Sequence, residues 1–148
     1  MENQNLLFNQ YEKRAHSIGI SIWHFEWCTK YRYRMFKKEG QNALITACIR
    51  RAASLHLIKI VVLTVMDEPV HCEAEIPLSM SPSQALQLLK GISARLFFIK
   101  NEKARLRYPK GHLWSRGKFA ASVGFVQIEV VTAYIKEQRE KHLGNSTL

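Results

Sequence analysis

Much is scarce in this 148-residue chain, and each scarcity argues against a class of protein. No apolar run approaches the roughly 18 residues of a membrane-spanning helix, so no membrane insertion is expected. The N-terminus, MENQNLLFNQYEKR, lacks the basic-then-apolar pattern of an export signal, and the chain reads as cytoplasmic. There are only three cysteines (Cys28, Cys48 and Cys72) and no CxxC pair, which favours reduced thiols over a disulfide framework. GxxxxGK[ST], GxGxxG and HExxH are all missing, which argues against the common nucleotide, dinucleotide and zinc-protease sites. Acids are also few: 12 Asp plus Glu against 22 Lys plus Arg leave a net charge of +10. A compact basic domain suits a polyanionic partner. Without a lipidation motif or a basic amphipathic terminal helix, nucleic acid is favoured over an anionic membrane.

Apolar residues make up 47% of the chain, enough for one core, and residues 1–148 read as one domain. Residues 1–14 look like a loosely held, partly helical arm. The stretch IGISIWHFEWCTKYRY (18–33) reads as a long strand with two faces: Ile20, Ile22, His24 and Glu26 alternate with Ser21, Trp23, Phe25 and Trp27. Gly40 closes a turn. A helix over 41–57 then presents Leu44, Ala47, Cys48, Arg51 and Leu55 on one face. Strands at 58–66 and 70–76 flank the MDEP turn as a hairpin. Ser81, Pro82 and Gln84 spell a capping box opening a second helix, with an apolar stripe of Leu86, Leu89, Ile92, Leu96 and Ile99. KFAASVG (118–124) is a short strand, and 127–142 is a final helix carrying Tyr134. This order predicts an α+β, ferredoxin-like (RRM-like) antiparallel sheet with helices on one face. RNA-binding and DNA-nicking domains share that frame, so the frame does not give the function.

His71, Glu73 and Glu75 share one face of their strand, and an imidazole with a carboxylate can hold a divalent cation. Tyr134 and Gln138 lie one turn apart on the last helix, and a tyrosine can attack a phosphodiester and stay bound as phosphotyrosine. A resting phenol is a weak nucleophile, so that chemistry needs a cation at the phosphate. His24 either orients a neighbour or a phosphate, or packs as a hydrogen-bonded core residue. Trp114 and Arg116 fall in a loop, where they suit base stacking and phosphate pairing, or Trp114 caps the core. Basic residues cluster in KYRYRMFKK (30–38), giving Lys30, Arg32 and Arg34 as further candidate DNA contacts, with Lys118 beyond the Trp114 loop.

Four blocks in order carry a resemblance: HFEWCTKYRY (24–33), VMDEPVHCEAEIP (65–77), MSPSQALQLLKGISA (80–94), and LWSRGKFAASVG (113–124) followed by YIKEQ (134–138). Together they resemble the single-tyrosine HUH transposases of small insertion sequences, the IS-two-hundred type, over about residues 20–142. That resemblance implies cleavage and rejoining of single-stranded DNA at hairpin-marked element ends through a 5′-phosphotyrosine. It implies Tyr134 as nucleophile, His71 and Gln138 as ligands of Mg²⁺ or Mn²⁺, and a homodimer in which the tyrosine helix serves the partner's site.

One departure is central. Pro69 stands where the family has its first metal histidine, Glu68 where it has the preceding aspartate, and Thr64 where some members carry an acid. Proline offers a metal no lone pair. Glu73 (right parity, one step further along) or Glu68 (wrong parity unless the turn kinks) would have to replace the missing ligand. The alternatives are an active strand transferase with a rebuilt metal site and a relative that binds hairpin DNA without cutting it. A more distant alternative is an RNA-binding module using Trp23, Phe25 and Trp27 on the sheet.

Overall fold

The computed structural model describes residues 12–14, 17–124 and 133–141, with side chains described from residue 20 onward. A small antiparallel pair, β1 (Glu12–Arg14) and β2 (Ser17–Gly19), precedes the main sheet. That sheet is built from β3 (Ile22–Cys28), β4 (Lys59–Val65), β5 (Pro69–Glu75) and β6 (Phe119–Ser122) in the order β4-β5-β3-β6, every pairing antiparallel. Helix α1 (Glu39–Leu55) links β3 to β4, and α2 (Pro82–Lys100) links β5 to β6. The described part of the last helix, α3, spans 133–141. The architecture is the ferredoxin-like α+β frame.

The period-two pattern of β3 decides which face is dry. Phe25 and Trp27 are buried, and Trp23 packs beside them, in one cluster with Cys72, Ala74, Val70 and Leu63 of the hairpin. Ile45, Cys48, Ile49 and Ala52 of α1 and Leu86, Leu89 and Phe97 of α2 cover that face. These aromatics are therefore core, not the exposed stacking platform that RNA recognition on this frame requires. The capping box forms as spelled. The Ser81 hydroxyl accepts from the Gln84 N–H at 3.1 Å, and the Gln84 amide oxygen accepts from the Ser81 N–H at 3.0 Å.

Several expected boundaries shift. The strand expected over 18–33 is broken. Ser17–Gly19 belongs to the small pair, and Lys30–Arg32 is a 3-10 turn in which Tyr31 and Arg32 take φ of 63° and 51°, which an extended strand cannot accommodate. The expected helical arm is, at Glu12–Arg14, strand; residues 1–11 lie outside the described residues. Gly40 sits in the first turn of α1 rather than closing a turn before it. The buried face of α1 is Ile45, Cys48, Ile49, Ala52 and Ala53. Of the expected face, Cys48 is buried and Leu44 packs partly buried against the core, while Ala47, Arg51 and Leu55 are exposed. The stripe of α2 holds for Leu86 and Leu89, but Ile99 at its end is exposed. The final helix is expected from 127; residues 127–132 lie outside the described residues. No helix among the described residues is long and apolar enough to cross a membrane.

Candidate functional site

The second face of the sheet gathers ionisable side chains. On β3, His24 and Glu26 point away from the helices. On β5, His71 is paired directly with Glu26, and Glu73 with His24. Directly opposed residues of an antiparallel pair share a face and approach within about 5.5 Å. The His71 Nδ1 is 2.6 Å from the Glu26 Oε1, and the His24 Nε2 is 3.8 Å from the same oxygen. The two imidazoles stack at 5.9 Å with 25° between their planes, and Phe119 of β6 meets His24 edge-on. One ligand atom from each of His24, Glu26 and His71 lies within 4.8 Å of the others, so the three could hold a metal ion. Burial pushes both imidazoles below the usual histidine range, against the pull of the Glu26 carboxylate; for His71 the neighbouring His24 pushes the same way as burial. Neutral imidazoles keep a lone pair for a cation.

The other ligand candidates are placed differently. Pro69 opens β5 opposite Cys28, on the same face as His71 and two residue pairs along. The Cys28 thiol lies 3.4 Å from the Ser115 hydroxyl. Glu68 sits in the hairpin turn, 3.7 Å from the Arg32 guanidinium. Glu73 is fully buried and lies outside the His24–Glu26–His71 trio. Tyr134 is half exposed on α3, Gln138 half-buried one turn later, and Ile135 between them is fully buried.

The basic candidates divide into two groups. Lys30 and Arg32 lie on the strained turn after β3, which is tied down from both sides. The Lys30 N–H donates to the Leu113 carbonyl at 2.8 Å, and the Tyr108 hydroxyl donates to the Lys30 carbonyl at 2.8 Å. Two successive non-glycine residues in the left-handed region cost roughly 1–2 kcal/mol each, and strain of this kind persists where surrounding contacts over-determine it. The turn presents Tyr31, 66% exposed, with the Lys30 ammonium over its ring. Arg34, Arg116 and Lys118 are exposed. Trp114 and His24, the remaining two candidates, are buried. Trp114 is buried, edge-on to Trp27 at 5.9 Å, with its indole N–H on the Ser93 hydroxyl at 3.1 Å. Its ring packs between Trp27 of β3 and Ser93 of α2. His24 is likewise buried, against His71.

Sequence reasoning misses two features. In the sequence Glu26 is only a face-sharing neighbour of His24; its meeting with His71 depends on a register between strands about 45 residues apart, which no local pattern encodes. A groove of about 580 Å³ between α2 and the 111–116 loop is lined by Lys90, Arg95, Arg105 and Arg116, with Trp114 at its wall. Lys90 reaches the Ser115 carbonyl at 2.8 Å.

The same residues place the chain among known proteins. Residues 20–138 match the family model described as "Transposase IS200 like", and the chain belongs to that family. It is 28% identical over 123 residues to the ISDra2 transposase TnpA of Deinococcus radiodurans, covering 80% of this chain and 84% of that one. It is 26% identical over 127 residues to the transposase for insertion sequence element IS200 of Salmonella typhimurium, covering 86% and 82%. Among solved structures, a Deinococcus radiodurans protein described as a transposase superposes with a TM-score of 0.68 at 24% identity, over 86% of this chain and 98% of that one. The REP-associated tyrosine transposase bound to a REP hairpin superposes with a TM-score of 0.62 at 17% identity, over 88% and 73%. Both share the fold.

Proposed function

We propose that this chain cuts and rejoins single-stranded DNA at hairpin-marked ends, with Tyr134 as the nucleophile. The observation that carries the reading is the His24–Glu26–His71 cluster on the open face of an IS200-like transposase fold, because strand transfer by a tyrosine needs a cation at the phosphate and this cluster has the donors for one. The Tyr134 Oη attacks the scissile phosphorus. The Oη–P bond forms, the P–O3′ bond breaks, and the proton lost by the phenol ends on the departing 3′-oxygen. DNA stays attached to the protein through its 5′-phosphate and a 3′-OH is free. Attack of a 3′-OH on the phosphotyrosine reverses the step and rejoins a strand.

His71 would hold the cation from the sheet, and Gln138, one turn beyond Tyr134, would hold it from α3. A bound Mg²⁺ or Mn²⁺ supplies positive charge to the phosphate oxygens as the fifth bond forms. Lys30, Arg32 and Arg34, with Arg116 and Lys118, supply phosphate contacts. The groove lined by Lys90, Arg95 and Arg105 continues that basic surface. The hairpin bound by the REP-associated relative supports folded single-stranded DNA as the ligand class. A homodimer with the tyrosine helix acting on the partner's site fits the β4 edge, which among the described residues pairs only with β5 and exposes Val61.

The second reading is a dimer that binds hairpin DNA and no longer cuts. It is favoured by Pro69 at the place of the family's first metal histidine. A denaturing gel separates the two. Single-stranded DNA carrying the hairpins that flank the gene, incubated with the protein and Mn²⁺, should give a covalent adduct that Tyr134→Phe abolishes. Binding without adduct at every Mn²⁺ concentration selects the second reading.

A further inference from the structure

We propose that the divalent-cation site has shifted along the sheet, with Glu26 and His24 of β3 joining His71 of β5 to replace the ligand that Pro69 cannot supply. The proposal deepens the strand-transfer reading and rests on it for the cation's purpose, although the binding site can be tested without any DNA. Its basis is register. On the face turned away from α1 and α2, β3 presents His24, Glu26 and Cys28 in a row, and β5 presents Glu73, His71 and Pro69 opposite them. A ligand at position 69 would sit beside His71 at the Cys28 end. The Pro69 ring has no lone pair there, and Cys28 is engaged with Ser115. Moving one pair toward the other end, His71 meets Glu26 directly and His24 next to it.

Three observations favour a cation over a simple hydrogen-bonded cluster. The 2.6 Å approach of the His71 Nδ1 to the Glu26 Oε1 lacks the alignment of an N–H donor, and that nitrogen has no aligned hydrogen bond. The His24 Nδ1 is also buried without a hydrogen-bond partner, on a residue only 8% exposed. A coordinated ion would give these nitrogens a partner. Third, the spacing is right. A cation about 2.1 Å from each ligand holds its ligand atoms within about 4.2 Å of one another, and the three here already lie within 4.8 Å. The rival substitutes are placed differently: Glu68 faces Arg32, and Glu73, opposite His24 on the same face, is fully buried and lies outside the trio.

Two imidazoles and one carboxylate also set the preference among cations. Imidazole suits Mn²⁺, Co²⁺ and Zn²⁺, whereas Mg²⁺ prefers oxygen ligands and retains its waters. The rebuilt site should therefore bind Mn²⁺ and Co²⁺ at least about tenfold more tightly than Mg²⁺.

Titration calorimetry with Mn²⁺, Co²⁺ and Mg²⁺ on the full chain tests this without DNA. Wild type and Tyr134→Phe should bind Mn²⁺ alike. Glu26→Gln, His24→Ala and His71→Ala should each weaken it at least about tenfold, while Glu68→Gln leaves it unchanged. Glu26→Asp should recover part of the loss, and circular dichroism confirms that each variant is folded. If His24→Ala should fail to fold, Glu26→Gln, nearly isosteric, carries the test. Mn²⁺ affinity unaltered in both Glu26→Gln and Glu26→Asp overturns the proposal. If Glu26 controls Mn²⁺ binding but no DNA adduct forms, the metal site stands and the strand-transfer reading falls. If adduct forms with full efficiency in Glu26→Gln, strand transfer stands and the shifted site falls.

Discussion

Replacing Trp114 by alanine separates a structural tryptophan from a DNA-stacking one. The ring is 8% exposed, edge-on to Trp27, tilted against Phe36 at 5.6 Å, and bonded through its indole N–H to Ser93. Burying roughly 200 Å² of aromatic surface at about 25 cal/mol per Å² is worth up to about 5 kcal/mol. The β-carbon that alanine keeps and partial collapse of the hole reduce that, and measured Trp→Ala core costs run about 3–5 kcal/mol. We expect about 4 kcal/mol, which in a chain of this size lowers Tm by roughly 8–16 °C. Trp114→Phe keeps most of the packing and removes the hydrogen bond, for about 1 kcal/mol. Ser93 remains satisfied there, because its hydroxyl also donates to the Lys90 carbonyl at 3.1 Å. Urea titration followed by circular dichroism gives both midpoints, and hairpin affinity is measured where the variants are folded. An unchanged unfolding midpoint with a tenfold loss of hairpin affinity would refute the reasoning, since it requires the ring to be free for a base.

Three further outcomes follow from named interactions. His24 and His71 have folded-state pKa values lowered chiefly by burial. The unfolded chain therefore takes up protons first as pH falls, so stability is full above about pH 6.5 and declines as pH drops below it; urea midpoints between pH 8 and 5 should show the decline, and the double change His24→Gln, His71→Gln should flatten it. Ser81→Ala removes the hydroxyl that caps α2 and should cost about 1 kcal/mol by the same titration, with DNA binding unchanged. Lys30→Ala with Arg32→Ala should weaken hairpin binding and make log affinity fall less steeply with log salt, by about 0.7 for each phosphate of single-stranded DNA that is no longer neutralised; an unaltered slope would remove that turn from the interface.

The sequence makes the frame readable because its local signals agree. The Ser81–Pro82–Gln84 box, the alternation through Trp23–Trp27 and the apolar hairpin flanking the MDEP turn each appear in the structure within a few residues of where they are expected. The reading fails where tertiary context decides. Tyr31 and Arg32 end β3 early by adopting a left-handed turn that neither residue type announces. The buried face of α1 is Ile45, Cys48, Ile49, Ala52 and Ala53, a face that only Cys48 of the expected set shares. At the candidate site, the facing of His71 is legible from strand parity. Glu26 is not legible as its partner. β3 pairs with β5 across α1 and β4, and the register that sets Glu26 against His71 arises only when the whole sheet is assembled. Trp114 shows the converse: a loop tryptophan beside an arginine has the composition of an interface, yet its ring closes the core.

Whether this transposase fold breaks DNA through its helix tyrosine can be read from the intact mass of the protein, and then of its peptides, after incubation with a 3′-extended hairpin oligonucleotide and Mn²⁺. Strand transfer by Tyr134 requires an added mass equal to the 5′-phosphorylated fragment less one water, carried on that residue and absent in Tyr134→Phe. Unmodified protein under conditions where the hairpin is bound and Mn²⁺ saturates its site would contradict it.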